Sequence, residues 1–168
     1  EESGKYSTIV VKGRNNAAIT NYAFRYDDDD TLDFYYYDGA DFIVYSSSLT
    51  FTDTTEWRHA AFTYTFGDAS SAQLYVNGQQ IDGSWTSGSG DTSVSPNDDP
   101  VWLGKIEQGT GEHFGGKLDG IHIYSSLSSD EITTIYDSSK ATPDFFSQQA
   151  GEETGGEVTY RPKAIMVN

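Results

Sequence analysis

A chain of 168 residues is one ordinary domain, long enough to bury a core, and its 26 acidic against 10 basic residues set a formal net charge of -16. That charge excludes the basic footprint needed to displace counterions from nucleic acid and disfavours an anionic membrane surface. No cysteine is present, so disulfides and thiol chemistry are excluded, and no apolar run approaches the roughly 20 residues of a membrane span.

Twelve Tyr, nine Phe and three Trp interleaved with Ser, Thr, Gly and Asp suit half-buried strands better than helices. Residues 6–12 (YSTIVVK), 19–26 (ITNYAFRY), 31–37 (TLDFYYY) and 41–45 (DFIVY) read as the first four strands. The four aspartates at 27–30 read as a solvated turn between the second and third. Residues 57–66 (WRHAAFTYTF) form a long strand with Ala60, Phe62, Tyr64 and Phe66 on one alternating face. Residues 73–77 (QLYVN) and 79–82 (QQID) flank Asn77-Gly78, a hairpin signal because a type I′ turn needs positive φ at both central positions.

Residues 87–100 are a Ser/Gly/Asp/Pro loop, 101–104 (VWLG) a strand, 109–116 a Gly-rich loop and 117–124 (KLDGIHIY) the last regular strand. Ser128 with Glu131 makes a capping box before Ile132, Ile135 and Tyr136, predicting a helix of roughly two turns over an open end of the sandwich. The fold class is all-β, a two-sheet antiparallel jelly-roll sandwich with one short helix after the last regular strand. Residues 1–141 form this unit. Residues 142–168 read as a connector and a carboxy-terminal strand, with 158–167 (VTYRPKAIMV) packing on this or a neighbouring subunit, since a free apolar strand would expose a sticky edge.

Residues 56–64 (EWRHAAFTY) with 74–78 (LYVNG), then 101–104, then 116–124 with Leu127-Ser128 and Glu131-Ile132, resemble laminin G-like, concanavalin A-like jelly rolls. The stretch 129–136 also resembles the corresponding helix of pentraxins. The likeness covers roughly residues 5–137 and implies the fold; for function it implies little, because this fold hosts lectins, adhesins, enzymes and spacers. Members usually begin with two further strands, the first commonly pairing with the strand matching 117–124. The expectation is that the chain is a processed fragment, that another polypeptide fills this slot (with strand exchange or a homo-oligomer as one form), or that residues 158–167 do.

The pentraxin resemblance places calcium ligands at Asn15, Asn16, Glu107 and Gln108, with Asn15 standing where Asp is expected and weakening the site. The competing reading of Asn15 and Asn16 is a tight turn. For a glycan, aromatic faces and hydroxyl-bonding groups are sought among Trp85, in a Gly/Ser loop, and Tyr36, His113, Asp98 and Asp99. Strand alternation puts Tyr35 and Tyr37 opposite Tyr36, so at least one set is core, and Trp57 and Trp102 also read as core.

Enzyme chemistry finds no support. There is no Glu-x-Asp-x-x-Glu run; Asp38 and Asp41, or Glu107 and Glu112, flank loops. His59, His113 and His122 lack a metal spacing, and no Gly-x-Ser-x-Gly elbow exists. The expectation is a non-enzymatic glycan- or surface-binding module with calcium assistance, partnered by a glycan or surface protein, on an extracellular, cell or virion surface. The alternative is a structural decoration or fibre subunit. No signal peptide is legible, so export would use a segment outside this sequence.

Overall fold

The computed structural model describes residues 6–53, 55–106, 113–140 and 164–167, except 14–19. Its strands are β1 (Ser7–Gly13), β2 (Thr20–Tyr26), β3 (Thr31–Tyr37), β4 (Phe42–Thr50), β5 (Ala60–Thr63), β6 (Gln73–Val76), β7 (Gln79–Ile81), β8 (Gly83–Ser87), β9 (Val101–Leu103), β10 (Ile121–Tyr124) and β11 (Ala164–Val167), with helix α1 (Ser129–Lys140) after β10. One sheet has the order β8-β4-β3-β2-β1-β9, all antiparallel; facing it are β5-β6-β7 and the pair β10-β11. The architecture is the all-β sandwich the sequence predicts.

Alternation builds the core. Tyr22 and Phe24, Leu32, Phe34 and Tyr36, and Ile43 and Tyr45 point from β2, β3 and β4 toward Phe62 and Leu74 of β5 and β6. The Phe34 and Phe62 rings stack at 4.2 Å between centroids, joining the layers at their centre. The large sheet also buries part of its outer side, where Val11, Ala23 and Tyr35 pack with Ile106. So both Tyr35 and Tyr36 are core.

Asn77 and Gly78 hold φ of 53° and 75°, as the β6–β7 hairpin demands. A Cβ on Gly78 would also lie 2.6 Å from Cδ1 of Tyr136 on α1, so turn and helix packing require glycine together. The helix lies across the outer face of the smaller sheet, with Ile132 buried against Ala61 and Tyr75, rather than over an open end. It runs 12 residues, longer than the two turns expected, because Ile135 and Tyr136 continue the contact. The capping box forms: the Ser128 N–H donates to Glu131 Oε2 at 2.8 Å and the Glu131 N–H to Ser128 Oγ at 3.4 Å. Replacing Ser128 by alanine should cost about 1 kcal/mol in a urea titration.

Three readings change. Residues 57–59 and 64–66 do not belong to β5, and Trp57 is 55% exposed instead of core. Residues 83–87 are the edge strand β8, not a loop approach, because the carbonyls and amides of β4 accept them as a partner. The strand read as 117–124 starts at Ile121. At the carboxy terminus, β11 pairs with β10 in parallel, Ile121 beside Ala164 through Tyr124 beside Val167, and lies next to β5.

Candidate functional site

A cleft of about 410 Å³ opens at one end of the sandwich. Among the described residues three segments wall it: Ser7, Ile9, Phe24 and Tyr26 on β1 and β2, Phe51, Asp53 and 55–58 after β4, and the approach to β10 from Phe114 to Asp119. Its floor is apolar, with Tyr26 edge-on to Phe51 at 6.3 Å and against Phe114 at 6.3 Å. Its rim is polar, with Asp53, Glu56 and Asp119 beside Arg58 and Lys117.

Local chemistry explains why Trp57 stands out from the surface. The Asp53 carboxylate accepts the Thr55 N–H at 2.9 Å and the Thr55 hydroxyl at 2.7 Å, an Asx turn that ends strand geometry before Trp57. Those two bonds, and then the Arg58 guanidinium 3.6 Å away, hold the Asp53 carboxyl below the usual carboxylate range. Arg58 also donates to the Asp53 carbonyl and covers the Phe51 ring at 5.7 Å. The turn and the guanidinium thereby set the Trp57 indole at the cleft mouth, among groups able to bond hydroxyls.

None of the five residues predicted for ligand binding lines this cleft among the described residues. Tyr36 is 0% exposed; its hydroxyl donates to the Thr92 carbonyl at 2.8 Å and meets the Tyr64 hydroxyl at 3.1 Å, so it cannot reach a ligand. This corrects the expectation: alternation turned Tyr36 inward. Trp85 sits on β8, half-buried, edge-on to Tyr45 and Tyr64 at 5.2 Å each, with its indole N–H donating to the Ala69 carbonyl at 3.2 Å. A Cβ on Gly90, at φ 76°, would come within 2.2 Å of this indole, so the chain closes over Trp85 only as glycine.

Asp98 is exposed and Asp99 half-buried on a loop fastened by Lys12, whose Nζ donates to the carbonyls of Asn97 at 2.7 Å and Asp99 at 3.2 Å. His113 is exposed one residue before Phe114 of the cleft. Of these predicted groups, Tyr36 and Trp85 meet edge-on at 6.4 Å, inside the core and away from the cleft. Asn15, Asn16, Glu107 and Gln108 lie outside the described residues, and among the described ones no group of three or more His, Asp or Glu could hold a metal ion. Asp38 is occupied by its own turn, accepting the N–H groups of Ala40 and Asp41 at 2.9 and 2.8 Å.

The 27–30 turn conceals a charge cluster. Arg25 lies 3.2 Å from Asp27 and 3.5 Å from Asp33, with its guanidinium over the Tyr6 and Tyr35 rings at 3.9 and 4.6 Å. Asp33 is 0% exposed; burial, then the hydrogen bond with Asp27, push its carboxyl up to about 7. At Asp27 burial is outweighed by that hydrogen bond and by Arg25, and the carboxyl is held low. His59 is buried against Tyr136, and burial lowers its pKa, which leaves the imidazole neutral near pH 7.

The family model of the concanavalin A-like lectin/glucanases superfamily, of laminin G type, matches residues 1–133. The chain belongs to this superfamily. No curated protein and no solved structure matches it. The match ends at residue 133, within the first half of α1, and β11 lies beyond it.

Proposed function

We propose that this laminin G-like domain is a non-enzymatic binding module that takes a neutral or cationic glycan on the rim of the cleft, displayed on an extracellular, cell or virion surface. The observation that carries this reading is the exposed Trp57 indole at the mouth of the cleft, held among Asp53, Glu56 and Arg58. An indole face covers sugar C–H surface while carboxylates and a guanidinium bond the hydroxyls, the usual mixture of a ligand site. The net charge of -16 favours neutral and cationic sugars over sulfated or sialylated ones. Superfamily membership supports a lectin-like role at the level of the fold.

A glycan array followed by calorimetry tests it. Trp57→Ala should weaken binding tenfold or more, about 1.4 kcal/mol, while the variant stays folded, since the side chain lies outside the core at 55% exposure. Equal binding by wild type and Trp57→Ala would remove the rim from the reading. Calcium assistance, through Asn15, Asn16, Glu107 and Gln108, is read separately from melting with and without a chelator. A melting temperature that does not move takes calcium out. The structural-subunit reading expects the opposite pattern, a concentration-dependent oligomer with no array signal.

A further inference from the structure

The cleft is layered from charged to apolar. Among the described residues its charged side chains lie on the outside, with Asp53, Glu56, Lys117 and Asp119 exposed and Arg58 half-buried. Beneath them Ile9, Phe24 and Phe51 are buried, and Tyr26, Phe114 and Leu118 are half-buried. Local structure holds this deeper layer in place. The Phe114 N–H donates to the Gly104 carbonyl at 2.9 Å, which fixes the backbone under the ring. A Cβ on Gly116 would lie 2.8 Å from Cε1 of Phe114, so glycine leaves room for that ring in the wall.

A sugar stacked on Trp57 satisfies the outer layer alone. Its hydroxyls need donors and acceptors, and among the described side chains the deeper layer offers only the hydroxyls of Ser7 and Tyr26. A sugar hydroxyl pushed further in would give up its bonds to water without replacement. A plain glycan therefore leaves the apolar layer wet. A space of about 410 Å³ with apolar walls and a few polar groups at its mouth has the make-up of a site for a small, largely apolar ligand.

We propose that the ligand is a glycoside, a neutral sugar carrying a short alkyl aglycone, with the sugar on Trp57 and the chain laid inward over Phe51, Phe114 and Leu118. This rests on the glycan reading of the rim and adds what lies beneath the sugar. The glycoside is a soluble one and not a glycolipid in a bilayer, since a chain of net charge -16 is repelled by an anionic membrane surface.

Methyl, butyl and hexyl β-glycosides of glucose, galactose and N-acetylglucosamine, kept below micelle-forming concentrations, test it. Calorimetry reads affinity, and the methyl resonances of Ile9 and Leu118 read place. A fully buried methylene is worth about a factor of four. With the chain partly buried, the hexyl glycoside of at least one sugar should bind at least about thirtyfold tighter than its methyl glycoside. It should also shift the Ile9 and Leu118 methyl signals, which the methyl glycoside leaves in place. Leu118→Asp puts a charge into the half-buried layer and should cut the gain to about threefold or less. Affinity independent of chain length overturns the proposal, as does a gain that leaves Ile9 and Leu118 unmoved or survives Leu118→Asp. So does the absence of binding by every glycoside.

The rim and the apolar layer fail in different ways. Trp57→Ala should weaken methyl and hexyl glycosides by the same factor and keep the gain from chain length. If the gain appears but Trp57→Ala changes neither affinity, the rim reading falls and the apolar layer stands without it. If Trp57→Ala weakens both while chain length has no effect, the rim stands and the aglycone is overturned.

Discussion

Phe62→Ala is expected to lose about 3–5 kcal/mol of unfolding free energy in urea, the range for emptying a fully buried phenylalanine site. Phe62 is 0% exposed and touches both layers. Its ring stacks on Phe34 at 4.2 Å and contacts Tyr45 at 5.5 Å, Tyr64 at 6.2 Å and Phe24 at 6.5 Å. Removing it opens a void at the one place where β3 and β5 are bridged ring to ring, and the surrounding aromatics are too rigid to collapse into it. For a domain stabilised by about 5–15 kcal/mol, this is a large fraction. A loss below about 1 kcal/mol would mean that the two sheets do not face each other across this ring.

Asp33 has the second large effect, and it is a pH effect. Its carboxyl titrates near 7 in the folded chain and near 3.8 in the unfolded one. Between those values the native state holds a proton that the unfolded state has released, so its contribution is complete below about pH 4 and is lost as pH rises to 7. The slope is at most about 1.4 kcal/mol per pH unit, and Arg25 at 3.5 Å already holds the upper end of the window down to about 7 by favouring the charged form. Asp33→Asn imitates the protonated carboxyl. Its stability should stay level from pH 5 to 8 while that of the wild type falls, with the variant ahead at pH 8. A variant clearly weaker than wild type at pH 8 would show that an ionised Asp33 paired with Arg25 is what the fold uses.

Most strands were legible because a sandwich writes itself into alternation. Phe34 and Tyr36, or Phe62 and Tyr64, need only period two and a turn at each end to be placed on the core face. Asn77-Gly78 and the Ser128–Glu131 box were equally plain, since each is a local hydrogen-bond requirement. The misreadings came from contacts remote in sequence. Gly83 to Ser87 carries a single large apolar residue, and only pairing with β4 makes it a strand. Trp85 looked accessible between glycines, yet Gly90 is what allows the chain to close on it.

Trp57 misled in the opposite direction. It continues the alternating pattern into β5, but the Asx turn of Asp53 and Thr55 interrupts the strand first. The Asp-x-Thr signal begins four residues upstream, at Asp53, and would have identified an exposed tryptophan. Asp33 was hidden as well. An aspartate opposite Arg25 on an outward-facing position reads as solvated, and only the packing of Tyr6 and Tyr35 around the guanidinium buries the pair.

The ligand-binding claim is tested most directly by nuclear magnetic resonance of the three indole N–H groups during titration with neutral oligosaccharides of glucose, galactose and N-acetylglucosamine and with cationic chitosan oligomers. The account predicts that at least one of these sugars shifts the Trp57 signal while those of Trp85 and Trp102 stay in place. Saturable binding that moves Trp85 or Trp102 and leaves Trp57 still would contradict it, as would no shift at Trp57 with any of the sugars.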